Sequence, residues 1–244
     1  MTVVILGACV VSVLGALLLA ASGPIYRTGL VELQSAFQLL RWAAYLGVAG
    51  MGVALVAGIA DYFRSGRKTL LHPGLLLSGL AFAIGLMAFA IPYQWQRSAR
   101  GLPPIHDIST DLENPPAFEA VVPLRADAPN SLERPPELAR QQREGYPDLE
   151  PITMAVPREQ AFDRALTLAQ AEGWEIVTAD KSTGRSEATD TTRWFGFKDD
   201  IVVRLTAWGA GTRIDVRSVS RIGRGDVGTN ARRISRYLDA LRAG

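Results

Sequence analysis

Cysteine is nearly absent from this chain of 244 residues: Cys9 stands alone, inside an apolar run. No intrachain disulfide can form, and one thiol says nothing about the redox compartment. The context Leu6-Gly7-Ala8-Cys9 looks like a lipoprotein cleavage box, but too little apolar sequence precedes it. A small residue packed in a membrane helix is the simpler reading. Histidine is scarce too. His72 and His106 are the two present, no HExxH spacing exists, and Ser218 and Ser220 lack a second base for a serine triad. Charge makes up 20% of the residues with a net of +2, an ordinary soluble average. That average misleads, because residues 2–22 carry no charge and the first hundred positions are strongly apolar.

What is present in that first part is long hydrophobic runs. About 20 apolar residues cross a bilayer, and three stretches qualify: 2–22, 39–60 and 70–92. The first is long for a signal-peptide core, has no basic start, and offers only Ala20-Ala21-Ser22 as a loose cleavage site, so an uncleaved helix is expected, broken by Gly23-Pro24. Arg41 can snorkel near the start of the second run, and Trp42 and Tyr45 suit the interface. Gly50, Ala54 and Gly58 lie four apart, a small-residue ridge for close helix contact, either with the other spans or in a homo-oligomer. Tyr93 and Trp95 close the third span as an aromatic belt, and His72 at its start reads as an interfacial residue. Arg64, Arg67 and Lys68 in the second connection place it inside. That makes the protein a multi-pass bacterial inner-membrane protein with a periplasmic C-terminal region.

Residues 97–156 change character. Prolines and acidic residues dominate (LPPIHDISTDLENPPAF, then NSLERPPELARQQREGYPDLEP), and proline removes donors and fixes φ, so an extended arm without regular elements is expected. Ile105, Ile108, Phe118, Val121 and Val122 imply that part of it wraps a folded domain. That domain spans 157–244. Phe162, Ala165, Leu166 and Ala169 share a helical face ahead of Gly173, a C-terminal cap. Residues 174–180 and 185–195 read as strands. Residues 192–221 then form a hairpin, with Ile201, Val203, Leu205 and Ala207 alternating against Val202, Arg204, Thr206 and Trp208, and Gly209 and Gly211 supplying positive φ at the turn. Asp226 caps a last helix carrying Val227, Ala231, Ile234, Leu238 and Leu241. The order α-β-β-β-β-α predicts an α+β class: an antiparallel four-stranded meander flanked by two helices, behind three transmembrane helices.

Four segments, LPPIHDISTD (102–111), NPPAF (114–118), TTRWFGFKDDIVVR (191–204) and DVRSVSRIGRGDVGTNARRI (215–234), resemble the domain-of-unknown-function family numbered 1499. The resemblance covers about residues 101–241 and keeps the motifs in order. It implies an often exported or membrane-attached domain, from a family with bacterial and plant plastid members. It implies no catalytic residues, and the preceding spans resemble an anchor that adds no chemistry.

Three constellations can carry chemistry. His106, Asp107 and Asp111 join an imidazole to carboxylates, as a metal site or an acid–base pair would, although turn and cap roles explain both aspartates. Lys198-Asp199-Asp200 pairs two carboxylates where a hairpin connection is expected. Arg204, Arg213, Arg217 and Arg221 line one face of the hairpin, where guanidinium forks match phosphate or carboxylate. The plain alternative is a solvated face with cross-strand Arg–Asp pairs through Asp215. The favoured function is a non-enzymatic, membrane-anchored binding or scaffolding module for an envelope partner, a lipid headgroup or another anion, without a cofactor or nucleic acid. The competing one is an envelope hydrolase or metal-dependent enzyme using His106 with Asp107 or Asp111.

Overall fold

The computed structural model describes residues 1–64 and 72–243. Arg67 and Lys68, on which the sidedness argument leans, and Leu70, the expected start of the third span, lie outside the described residues. The chain divides into two compact units, one built on Met1–Arg100 and one beginning at Gly101.

The first unit is three helices: α1 (Thr2–Arg27), α2 (Leu33–Arg64) and α3 (Pro73–Arg100). All three are long and apolar enough to cross a membrane. Their side chains are sorted as lipid, not water, requires. Ala8, Ala36, Ala43, Ala54, Ala57, Ala81 and Ala88 are buried between helices, while Leu17, Val56, Ile59, Leu80 and Met87 face outward. In hydrocarbon, large apolar residues gain nothing by turning inward, so small residues take the contacts and let backbones approach. The Gly50-Ala54-Gly58 ridge is used in this way within the chain. A Cβ at Gly50 would meet the Ser12 nitrogen of α1 at 2.9 Å, and one at Gly58 would meet Ser78 Cβ of α3 at 3.1 Å. Of the two readings of the ridge, contact with the other spans is the one seen within the chain. Helix α1 also runs through Gly23-Pro24 to Arg27 instead of breaking there. Pro24 lies in its last turn; it forfeits only its own bond to the carbonyl four residues earlier, and its carbonyl still accepts from Thr28 N at 3.2 Å. His72 brings its Nδ1 to 3.0 Å from Asp61 Oδ2.

The second unit is α+β. Its strands are β1 (Asp107–Ser109), β2 (Ile152–Met154), β3 (Glu175–Asp180), β4 (Arg185–Thr191), β5 (Lys198–Trp208) and β6 (Gly211–Ser220), and its helices are α4 (Pro136–Gly145), α5 (Arg158–Ala171) and α6 (Thr229–Ala243). The expected meander β3-β4-β5-β6 is present and wholly antiparallel. The sheet has six strands, not four, because β1 and β2 both pair with the outer edge of β6. The proline-rich arm thus contains regular elements after all. Its short strands occupy a sheet edge, and Pro136 opens α4 at a position where the missing N–H has no intrahelical partner to lose. Capping β6 in this way removes an exposed edge.

At the β5–β6 turn only Gly209 has positive φ, at 57°, the pattern of a turn with its left-handed residue first. Gly211 serves a different need: a Cβ there would collide with the Met154 carbonyl of β2. One sheet face carries Ile201, Val203, Leu205, Ile214 and Val216, which form the main core with Phe162 and Ala165 of α5 and Ile234, Tyr237 and Leu238 of α6. Tyr237 stacks near Trp174, with ring centroids 4.8 Å apart, and its hydroxyl donates to the Ala165 carbonyl at 2.7 Å. The opposite face is covered by the arm, where Phe118 and Val121 pack on Val202 and Val219. Val122, expected to be covered as well, is exposed.

Candidate functional site

The period of two along β5 and β6 that sends Ile201 and Ile214 into the main core sends Asp200, Arg204, Arg213, Asp215, Arg217 and Arg221 to the other face. The expectation for that face is water or a ligand. Instead residues 110–134 lie across it, and its charges pair with one another and with charges from the arm. Arg204 Nη2 donates to Asp111 Oδ2 and to Asp215 Oδ2, both at 3.1 Å. Arg213 Nη2 reaches Asp111 Oδ2 and Asp215 Oδ1, both at 3.0 Å. The hydrogen bond to Asp215 raises the Arg213 guanidinium above its ordinary value. Arg217 grips Asp107 through two bonds of 3.0 and 2.7 Å, and donates further to the Leu132 and Pro116 carbonyls of the arm.

Asp200 is among the most heavily bonded carboxylates. It accepts from Arg125 at 2.5 Å, from Arg221 at 2.8 and 2.9 Å, and from the Thr189 hydroxyl at 2.7 Å. Burial alone would push its carboxyl up; the bonds from Arg221, Thr189 and Arg125 outweigh burial and hold it below the usual carboxylate range. Glu187, fully buried on β4, accepts from Arg185 and from the backbone N–H groups of Glu119 and Val121 at 2.8 and 2.9 Å.

The four arginines singled out from the sequence thus share one layer, each already holding a carboxylate. His106, Asp107 and Asp111 are not gathered into one set. Asp107 is paired with Arg217 and Arg134, Asp111 with Arg204 and Arg213, and the His106 side chain lines a separate cleft. Among the described residues no three His, Cys, Asp or Glu side chains converge as a metal site. Lys198-Asp199-Asp200 is not a turn but the start of β5. Its two aspartates point to opposite faces, Asp199 to Arg233 of α6 and Asp200 to Arg125 and Arg221.

The sequence model of the family described as "Protein of unknown function (DUF1499)" matches residues 107–241. The chain belongs to the DUF1499 family. No curated protein matches it.

In this DUF1499 domain the stretch DVRSVSRIGRGDVGTNARRI builds a second buried network, on the helix side. Ser218 donates to Asn230 Oδ1 at 2.6 Å, and Asn230 Nδ2 donates to the His106 carbonyl and to the Ser220 hydroxyl. Arg233 reaches Asp199 at 2.6 Å and Asp190 at 2.7 Å. Burial works against the charge of Arg233, and Asp199 and Asp190 reverse that and raise it. Asp226 caps α6 by accepting from Asn230 N at 2.6 Å and Gly228 N at 2.9 Å; burial pushes its carboxyl up. Val227 beside it has φ of 53°, strained for a β-branched residue.

Residue-by-residue reading of the sequence missed Arg125, Arg134, Glu187 and Arg233 as members of these networks. Glu187 and Thr189 do alternate with Ser186 and Ala188 along β4, a signal that was there to find. Arg125 ends a single 3-10 turn (Val122–Arg125) and Arg134 sits in irregular chain, and neither has a periodicity that marks a side chain as inward.

Proposed function

We propose that the protein is a non-enzymatic, membrane-anchored binding module of the bacterial inner membrane, with its DUF1499 domain on the periplasmic side. One observation carries the reading: the carboxylates that the sequence offers as acid or base, Asp107, Asp111, Asp199 and Asp200, are each ion-paired with arginine, and Asp226, raised by burial, is committed to capping α6. A general base needs a carboxylate poised near the working pH, and pairing with arginine works in the opposite direction. Sidedness rests on Arg64, Arg67 and Lys68 in the short connection between the second and third spans.

The partner is an envelope component with anionic or apolar character. Support comes from the β5–β6 tip, where Trp208 is 58% exposed and the Arg213 guanidinium lies 5.7 Å from its ring centroid. Tryptophan and arginine are the side chains that dominate binding surfaces when a partner covers them. The test uses the intact protein. A photo-crosslinker in place of Trp208 should trap a discrete envelope component in cells, and one in place of the buried Gln142 should not. In nanodiscs, panels of esters, phosphomonoesters and glycosides should show no turnover. Turnover that disappears in His106→Ala would overturn the reading in favour of the hydrolase.

A further inference from the structure

A cleft of about 290 Å³ opens where the arm meets the β6–α6 connection, and His106, Arg224, Gln141 and Glu137 supply its polar wall. Ile105 and Leu138 supply an apolar floor, and Pro104 and Pro135 stiffen its rim. From this geometry we propose that the cleft binds a free short-chain hydrophobic monocarboxylate, its tail on Ile105 and Leu138 and its carboxylate on Arg224. The inference rests on the binding-module reading above and deepens it by naming a site and a ligand class.

Charge decides the class of ligand. Glu137 has donors of its own, accepting from Gln141 Nε2 at 3.3 Å and, at 2.5 and 3.2 Å, from Arg140, which it shares with Glu144. Arg224 is exposed and, among the described residues, forms no ion pair. The cleft therefore presents one guanidinium without an ion-pair partner among the described residues, beside an imidazole and above an apolar floor. That combination matches an anion with a greasy body: the guanidinium fork takes a carboxylate through two parallel bonds, and an apolar tail gains from leaving water.

The walls are held in place before any ligand arrives. The Ile105 carbonyl accepts from Asp226 N at 3.2 Å, and the His106 carbonyl accepts from Ser220 N at 2.9 Å and from Asn230. The segment that carries Arg224 also contains Val227 in its left-handed conformation. Such strain persists only where the surrounding structure over-determines it, and it clusters at ligand-binding segments. A cleft of this size suits a small molecule, since small-ligand sites begin at roughly 300 Å³.

The test is ligand-observed saturation-transfer NMR on the full chain in nanodiscs, with hexanoate as probe and hexanamide as its uncharged equivalent. Hexanoate should bind at least tenfold more tightly than hexanamide. Arg224→Gln should weaken hexanoate at least tenfold and leave hexanamide unchanged, and Gln141→Trp, which fills the cleft from its rim, should remove both. Equal binding of the two probes to the wild-type chain overturns the proposal without recourse to any variant, as does wild-type affinity in Arg224→Gln. Failure here with a Trp208 adduct still trapped in cells would sink this site alone. Turnover lost in His106→Ala would instead sink the binding-module reading.

Discussion

Removing the Asp107 carboxylate is the sharpest test of the buried charge layer. Asp107 is 1% exposed, and it faces two guanidiniums that are themselves 5% and 7% exposed, those of Arg217 and Arg134. Arg134 is already lowered by burial, with Asp107 working to restore its charge. Asp107→Ala would strand two positive charges out of water, and breaking a buried pair from one side costs about 3–5 kcal/mol. The matching control is Glu113→Ala. Glu113 pairs with Arg143 at 3.3 Å, but the partners are 89% and 60% exposed, and such pairs contribute about 0–1 kcal/mol. The assay is hydrogen exchange of β5 and β6 peptides in the intact protein. If those amides exchange through opening of the sheet, Asp107→Ala should accelerate them by roughly two to three and a half orders of magnitude, since every 1.4 kcal/mol is about tenfold, and Glu113→Ala by less than about tenfold. Asp107→Leu with Arg217→Met should recover part of the loss, because an apolar pair replaces an ionic one at little cost. Recovery should be incomplete, since Arg134 still lacks its carboxylate and the Leu132 and Pro116 carbonyls lose their donor. If Asp107→Ala accelerates exchange no more than the exposed control, the layer is not what holds the arm to the sheet.

Four further outcomes follow from the structure. The Asp200 carboxyl is held low, so its contribution to stability is present above the unfolded value of about 3.9 and is lost as pH falls through the folded value; Asp200→Asn should be destabilised at pH 7 in urea unfolding, with the gap narrowing towards pH 2. The Asp226 carboxyl is pushed up and has the opposite sign: its charge costs stability at high pH and the cost is relieved as pH falls through the folded value, so Asp226→Asn should flatten that part of the stability profile. Val227→Gly should raise the unfolding free energy, read from urea unfolding, by about 0.5–1 kcal/mol, the left-handed penalty of about 1–2 kcal/mol less the entropy cost of glycine. In the membrane unit, Gly50→Leu should separate α1 from α2, read as loss of an Ala8→Cys to Ala54→Cys cross-link in a Cys9→Ala background, because its side chain would enter the Ser12 backbone.

Periodicity carried most of what could be read in advance. The three apolar runs, the hairpin, the α5 and α6 faces and the Asp226 cap were visible because each repeats a local rule along the chain. The irregular arm obeys no such rule, and there the reading failed in detail. Pro135-Pro136 looked like an obstacle to structure and is the start of α4. Residues 107–109 and 152–154 are too short to show alternation and became strands only because β6 offered an open edge.

By itself, the order of residues determined that a lipid-compatible helical part precedes an α+β domain, since hydrophobic length and period are properties of consecutive residues. Which charges meet was decided only in three dimensions. The arginines of β5 and β6 read as a ligand surface or as a solvated face paired through Asp215; the Asp215 pairs are present, and the arm adds Asp107 and Asp111, as much as 110 positions away in the chain. A guanidinium is bare or satisfied according to what folds across it, and pairing over that distance leaves no trace in local spacing.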